Sequence, residues 1–397
     1  MPEKHVPQSG FPSQDWIYWI SRITLLFFSS PWLSDIPRYF YYSKLLIIDG
    51  KIPYRDFSFE YTPLVYVLFL SPAAIHKLLS LNTIAAYRLL FSLSLLPFDY
   101  LLFRKFRNFE NFSAAGLIYL VLSLGSFPFL FDRFDILMAF FLAWPFLSGK
   151  IKKMNHLPLY WGVGAAIKLV SLPPLLIYLL AQGRPVKKNL SAWMIAMLPL
   201  FLSLAIGIAL SLGGSPFLSH HANRGVQVES LIANLAILIK ISGFAFSSAA
   251  FQYDFGSDQL VGIPGLSIFA KIFFWVSISL TLFALWRVRE RISPSSIGWI
   301  FISSFLSFGY VLSPQFILWI IPLGLIVSSE LDLKKRSLWL FALTLATALT
   351  TLHFLQYQSF LAMNPFSVGL LTVRNLSLFF LWSVGWLWLL KPNASRM

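Results

Sequence analysis

Apolar runs of roughly 18 residues or more recur along the whole chain, and each is long enough to cross a hydrocarbon core of ~30 Å as a helix. That repetition leaves few architectures open. Composition agrees: the 397 residues are 57% hydrophobic and 12% charged, against about 25% charged in soluble domains. The expected fold is all-α, a polytopic transmembrane helical protein. It forms a single integral membrane domain over residues 1–397, without a separate soluble domain or an internal repeat of fixed period.

Charge orients it. The formal net charge of +15 falls largely in five clusters: "RKFR" (104–107), "KIKK" (150–153), "RPVKK" (184–188), "RVRER" (287–291) and "LKKR" (333–336). Placing all five in the cytoplasm satisfies the positive-inside rule, so the charge is read as an orientation signal in the lipid bilayer and no nucleic acid partner is expected. The run from Trp16 to Leu33 has no small-residue cleavage site after it and is read as a retained first span. Further spans fit near 84–103, 112–130, 134–149, 190–212, 261–286, 295–311, 315–329, 337–355 and 366–390. The run 157–182 must begin and end inside, so it is read as two short helices meeting near Lys168, with Pro173 and Pro174 close by. The segment 62–79, interrupted by Pro72, is assigned as interfacial or re-entrant structure, and 231–250 likewise. About 12 spans result, with both termini inside. The large outer loops are 34–83 and 213–260. Nine of the 16 acids then lie outside: Asp35, Asp49, Asp56, Glu60, Asp132, Asp135, Glu229, Asp254 and Asp258.

That outer face carries the candidate chemistry. Asp35 directly follows the first span, four residues before Tyr39, and a carboxylate at a membrane boundary can serve as a general base. Asp56 and Glu60 lie among Tyr and Phe rings, a mixture that suits sugar recognition or an interfacial belt. In "FDRFD" (131–135), Asp132 and Asp135 flank an arginine at a tight outer turn. Lys168 is a cation inside an apolar run, which is costly and by default functional. "SHHANRGVQVES" (219–230) groups His220, His221, Arg224 and Glu229. Two histidines without a third ligand favour anion binding over a metal site. Gln315 in "SPQF" (313–316) offers a further hydrogen-bonding group. The chain has no Cys, which excludes thiolate metal sites and cysteine nucleophiles. It has no nucleotide-binding glycine motif either, and no metal or cofactor is expected.

In order, "SDIPRYFYYSKLLIIDGKIPYRDFSFEYTPL", "RFDILMAFFLA", "GVGAAIKLVSLPPLLIYLL", "SHHANRGVQVESL" and "SPQFILWIIPL" resemble the GT-C class of polytopic glycosyltransferases. They are most similar to glycosyltransferase family 87, the polyprenyl-phosphate-mannose-dependent mannosyltransferases. The likeness runs from about residue 30 to 325. The chain departs from the family pattern at Thr62 in "EYTPL", where a proline is usual, and at "KLVSLPP". The resemblance implies a multi-pass enzyme of the cell membrane with its active site on the non-cytoplasmic face. Its donor would be a polyprenyl-phosphate-linked sugar, mannose in the family, and its acceptor a hydroxyl of a glycan or glycolipid of the cell envelope. The position matching the family's catalytic carboxylate is Asp35, with Tyr39 downstream, and transfer would invert the anomeric centre. Lys168, Arg224, His220 and His221 would meet the phosphate, and Asp56, Glu60 and Gln315 sugar or acceptor hydroxyls. A transporter or flippase, or an envelope polysaccharide assembly protein, is the competing expectation.

Overall fold

The computed structural model describes residues 13–28, 34–81, 83–109, 112–147, 157–181, 186–211, 223–254 and 256–390. The first helices are α1 (Ser13–Phe28), α2 (Ile36–Ile47), α3 (Pro63–Leu78), α4 (Ile84–Arg107), α5 (Ala115–Gly125), α6 (Phe127–Leu130) and α7 (Asp135–Leu147). Next come α8 (Leu157–Ile167), α9 (Leu172–Ala181), α10 (Val186–Leu210) and α11 (Leu231–Ile241). After the strands β1 (Ala250–Asp254) and β2 (Ser257–Val261) follow α12 (Leu266–Val288), α13 (Pro294–Phe308), α14 (Ile317–Ser328), α15 (Leu333–Leu355), α16 (Tyr357–Leu361) and α17 (Pro365–Leu389).

Helices dominate, and among the described residues five stretches are long and apolar enough to cross a membrane: 84–107, 193–210, 266–288, 333–355 and 365–389. Three of them, and the shorter α13, have chemically marked starts. The side chains of Thr83, Ser293, Asp332 and Asn364 each accept a backbone N–H of the turn that follows, satisfying donors that a helix leaves unpaired. Two of the long helices present broad apolar faces outward. On α10, Met194, Leu198 and Phe201 are exposed, as are Ile268, Ile272 and Trp275 on α12. Patches of that extent are stable against lipid and not against water.

Two features correct the sequence reading. To the expected helical fold the structure adds one element that the reading lacked: β1 and β2 form an antiparallel hairpin, Ala250 opposite Val261 and Asp254 opposite Ser257. The segment around Pro72 is also unbroken, since α3 runs through it as one helix of 16 residues. Inside a bundle, neighbouring groups make good the hydrogen bond that a proline removes.

The interior is aromatic. Trp161, Trp299, Trp319 and Trp339 are all fully buried, and the last three bring α13, α14 and α15 together, with the rings of Trp299 and Trp339 4.5 Å apart. α7 packs against α14, α8 against α10, and α15 against α17. At Gly162 a Cβ would run into the Ala196 carbonyl of α10, so that crossing requires a glycine.

Turns sort to two ends. At one end Arg107 pairs with Asp15, Ser295 donates to Glu330 at 2.6 Å, and Arg336 lies over Phe112 at 5.0 Å. At the other, residue 35 meets 133, 135 meets 168, and 258 meets 357, while the Gln227 N–H donates to the Tyr310 carbonyl at 2.9 Å. The helices reaching this second end differ in length. α13 and α14 have 15 and 12 residues and α15 has 23, so at 1.5 Å per residue the α13–α14 turn stops roughly 12 Å short of the far end of α15. The turns around 133 and 168 are carried by equally short helices, α7 to α9. Polar turns therefore lie below the ends of the long helices, covered by α2, α3 and the segment 223–265.

Candidate active site

Asp35 occupies the position just before α2, and its own carbonyl accepts the Arg38 and Tyr39 N–H groups, both at 3.0 Å. Its carboxylate is fixed on one side. Arg133 Nη1 donates to Oδ2 at 2.6 Å, and the Tyr39 hydroxyl reaches the same oxygen at 3.4 Å. The other oxygen, Oδ1, takes no hydrogen bond from the described residues, and the side chain is 16% exposed. Tyr39 is held still because its ring stacks on Phe69 at 4.2 Å within the core.

The turn 131–135 distributes its three charges to three different helices. Asp132 accepts from Arg88 Nε at 2.6 Å, while Arg88 also donates to the carbonyls of Leu26 and Leu25 at 2.8 and 3.2 Å. Through Arg88, Asp132 thus helps to tie down the end of α1. Asp135 accepts from Lys168 Nζ at 2.6 Å and from Trp319 Nε1 at 2.7 Å. Arg133 faces Asp35. A local ion pair within the turn is therefore not what forms: each partner is supplied by a distant helix.

Lys168 sits where α8 ends, with extended backbone (φ −143°, ψ 124°). Beyond its ion pair it is enclosed by the rings of Phe134, Phe316 and Trp319 at 4.7, 4.9 and 5.0 Å. Cation–π attraction compensates an ammonium for lost water. The turn 313–316 supplies one of those rings, Phe316, and there the Ser313 hydroxyl donates to the Gln315 side-chain oxygen. Gln315 shapes this turn from a buried position.

Glu60 joins through Arg38, which donates to it at 2.7 Å and to the Tyr253 hydroxyl at 3.0 Å and the Gly256 carbonyl at 3.4 Å. The β-hairpin is thereby docked on α2. Gly256 has φ +74°, and a Cβ there would collide with the Arg38 guanidinium, so glycine serves both the turn and the docking. Burial works against the Arg38 charge, but Tyr61, Asp35 and Glu60 more than offset it and raise its proton affinity. Asp56 is not part of this cluster. It accepts from the adjacent Arg55 and from the Ile52 N–H at 2.7 Å, and the Arg55 bond with that N–H lowers it to about 2.

Arg224 donates to the Ser257 hydroxyl at 3.3 Å and so abuts the hairpin rather than Asp35. His220 and His221 lie outside the described residues. Among the described residues no group of three potential metal ligands occurs. Glu229 is buried and accepts from Gln227 Nε2 at 2.7 Å. Burial pushes it up to about 7, with Arg374 and Arg133 pulling the other way.

The structure thus joins Asp35, Tyr39, Arg133, Asp135 and Lys168 into one cluster, with Glu60 beside it through Arg38. Arg133, Arg38 and Trp319 are absent from the candidates that sequence reasoning supplied. Arg133 lay within the quoted "FDRFD", and its separation of 98 residues from Asp35 leaves no local signal of the pairing. Chemically the cluster offers one open carboxylate oxygen, flanked by cations in poorly hydrated surroundings. No family model, no curated protein and no solved structure matches this chain.

Proposed function

We propose that the chain is a membrane glycosyltransferase of the GT-C type. It moves a sugar, mannose by the family 87 resemblance, from a polyprenyl-phosphate donor to an acceptor hydroxyl of a glycan or glycolipid. The observation that carries this is the Asp35 carboxylate, with Oδ2 clamped by Arg133 and Tyr39 and Oδ1 open. An acceptor hydroxyl at Oδ1 would lose its proton to Asp35 while attacking the anomeric carbon opposite the phosphate, inverting it. Arg133 and the Lys168–Asp135 pair would oppose the negative charge that develops on the departing phosphate, in surroundings where such interactions are strong. About 12 spans with both termini inside are part of this proposal. The sorting of turns to two ends supports it, and the basic clusters orient it, which puts Asp35 on the non-cytoplasmic face of the cell membrane.

A transporter is favoured by one observation, the fully buried Arg22–Asp99 pair between α1 and α4. Intramembrane charges mark ion or proton paths in pumps. Here, however, Tyr18 and Tyr119 also donate to Asp99, at 2.9 and 2.6 Å, and Ser123 accepts from Arg22 at 2.5 Å. A pair so fully hydrogen-bonded serves structure.

The test is transfer by purified protein from a panel of radiolabelled polyprenyl-phosphate sugars. General base catalysis is worth about 10²–10⁴-fold, so Asp35→Asn loses that much turnover with donor affinity little changed. Wild-type transfer by Asp35→Asn would remove Asp35 from the mechanism. An absence of transfer with every donor would remove the enzyme.

A further inference from the structure

One buried arginine stands apart from this cluster. Arg374 lies in the middle of α17, about 14 Å along the helix from its start at 1.5 Å per residue, and is 1% exposed. Its Nε and Nη2 make no hydrogen bond to any of the described residues. These two atoms form one edge of the guanidinium, the fork that matches an oxyanion bidentately. Elsewhere in this protein the same edge is filled. Arg22 Nε and Nη2 hold the two oxygens of Asp99 at 2.8 and 3.3 Å, and Arg55 holds those of Asp56, both at 2.9 Å.

Glu229 is near enough to act on the Arg374 charge, yet forms no ion pair with it and accepts instead from Gln227. Arg374 lines a small cavity together with Ser313, Thr350, Leu306, Ile317 and Leu378. The two hydroxyls there are already committed, Ser313 to Gln315 and Thr350 to the Ala346 carbonyl at 2.7 Å, so the guanidinium is the donor left over. Leaving a buried charged donor unpaired is expensive. The cavity also adjoins the turn 313–316, whose Phe316 covers Lys168.

We propose that Arg374 anchors a small oxyanion, a carboxylate or a phosphate group, in the cavity beside the 313–316 turn. The site does not depend on the sugar-transfer reading. Its size excludes a whole hexose, so it receives a charged substituent or a free anion. The guanidinium supplies both hydrogen bonds, and the apolar wall of Leu306, Ile317 and Leu378 keeps water from competing.

The test uses full-length purified protein and three probes at fixed pH and ionic strength: inorganic phosphate, acetate and chloride. A ligand that binds only the folded state raises the thermal midpoint in proportion to the logarithm of its saturation. Phosphate, acetate or both are expected to raise it at millimolar concentration, and chloride is not. A response to phosphate alone points to a phosphate group, and one to acetate alone to a carboxylate. Arg374→Lys keeps the charge but loses the fork and should weaken the effect at least tenfold; Arg374→Gln should abolish it. Should Arg374→Gln fail to fold, the lysine variant decides the matter. No oxyanion response in the wild type, or an undiminished one in Arg374→Lys, would overturn the site.

Discussion

Single side chains here are defined by which partner claims them. Lys168 and Asp135 spend their charges on each other, whereas Asp35 keeps an oxygen open and Arg374 an edge. Glu229 is the residue whose protonation this burial exposes to measurement. An unfolded glutamate titrates near about 4.3, and in the fold burial holds Glu229 at about 7. Between those values the folded chain binds the extra proton, so stability falls as pH rises through the window. The effect is at most on the order of 4 kcal/mol. Thermal midpoints taken in detergent from about pH 5 to about pH 8 should decline, and Glu229→Gln, always neutral, should flatten that slope. An equally steep decline in the glutamine variant would assign the pH dependence to other groups.

At the scale of elements, the helices were legible because each span must satisfy lipid by itself, so hydrophobicity and flanking charge are local signals. Thus α4, α13, α15 and α17 lie close to the runs read at 84–103, 295–311, 337–355 and 366–390. Two local rules misled. A proline inside an apolar run looked like a break, although the bundle carries α3 through Pro72. The hairpin "AFQYDFGSDQLV" has no clean alternation, since its order comes from β1–β2 pairing and from Arg38 and Tyr357 outside it. Of the site, Asp35 and Lys168 were legible as charges at apolar boundaries. Arg374 carries the same signal inside the run 366–390 and was passed over for want of a motif. Partner choice was never legible, since Asp35–Arg133, Asp135–Trp319 and Arg22–Asp99 join residues 98, 184 and 77 positions apart. The last of these ties α1 to α4 and lends itself to a test of what holds the first helix. Removing one member of a buried pair costs about 3–5 kcal/mol, and replacing both with apolar residues of similar size often costs little. Asp99→Leu should therefore lower the unfolding midpoint sharply, and Arg22→Met with Asp99→Leu should recover most of the loss. A double variant as unstable as the sum of its singles would mean that the tyrosine and serine contacts, and not the charge pair, fasten α1.

For the whole molecule, length and charge answer different questions. Helix lengths put the turns at 133, 168 and 313 below the ends of the long helices, whichever way the protein lies. Only the basic residues say which side that is. Arg104, Lys105 and Arg107 close α4, and Arg287, Arg289 and Arg291 follow or close α12, all at the end opposite Asp35. If cytoplasmic retention of such clusters sets the topology, the Asp35 end faces out. That matters for chemistry, because an outward site can draw on a lipid-borne sugar but not on a soluble nucleotide donor. The chain has no native cysteine, so single introduced thiols report cleanly. Tyr253, 66% exposed on the hairpin, and Glu290, whose side chain is 65% exposed at the other end, are suitable sites. A membrane-impermeant maleimide applied to intact cells should label Tyr253→Cys and leave Glu290→Cys unreacted until the membrane is opened. The reverse pattern would turn the molecule over and place Asp35 in the cytoplasm, ending the case for a polyprenyl-phosphate donor at an outer face. Labelling of both in intact cells would break the alternation of ends on which the span count rests.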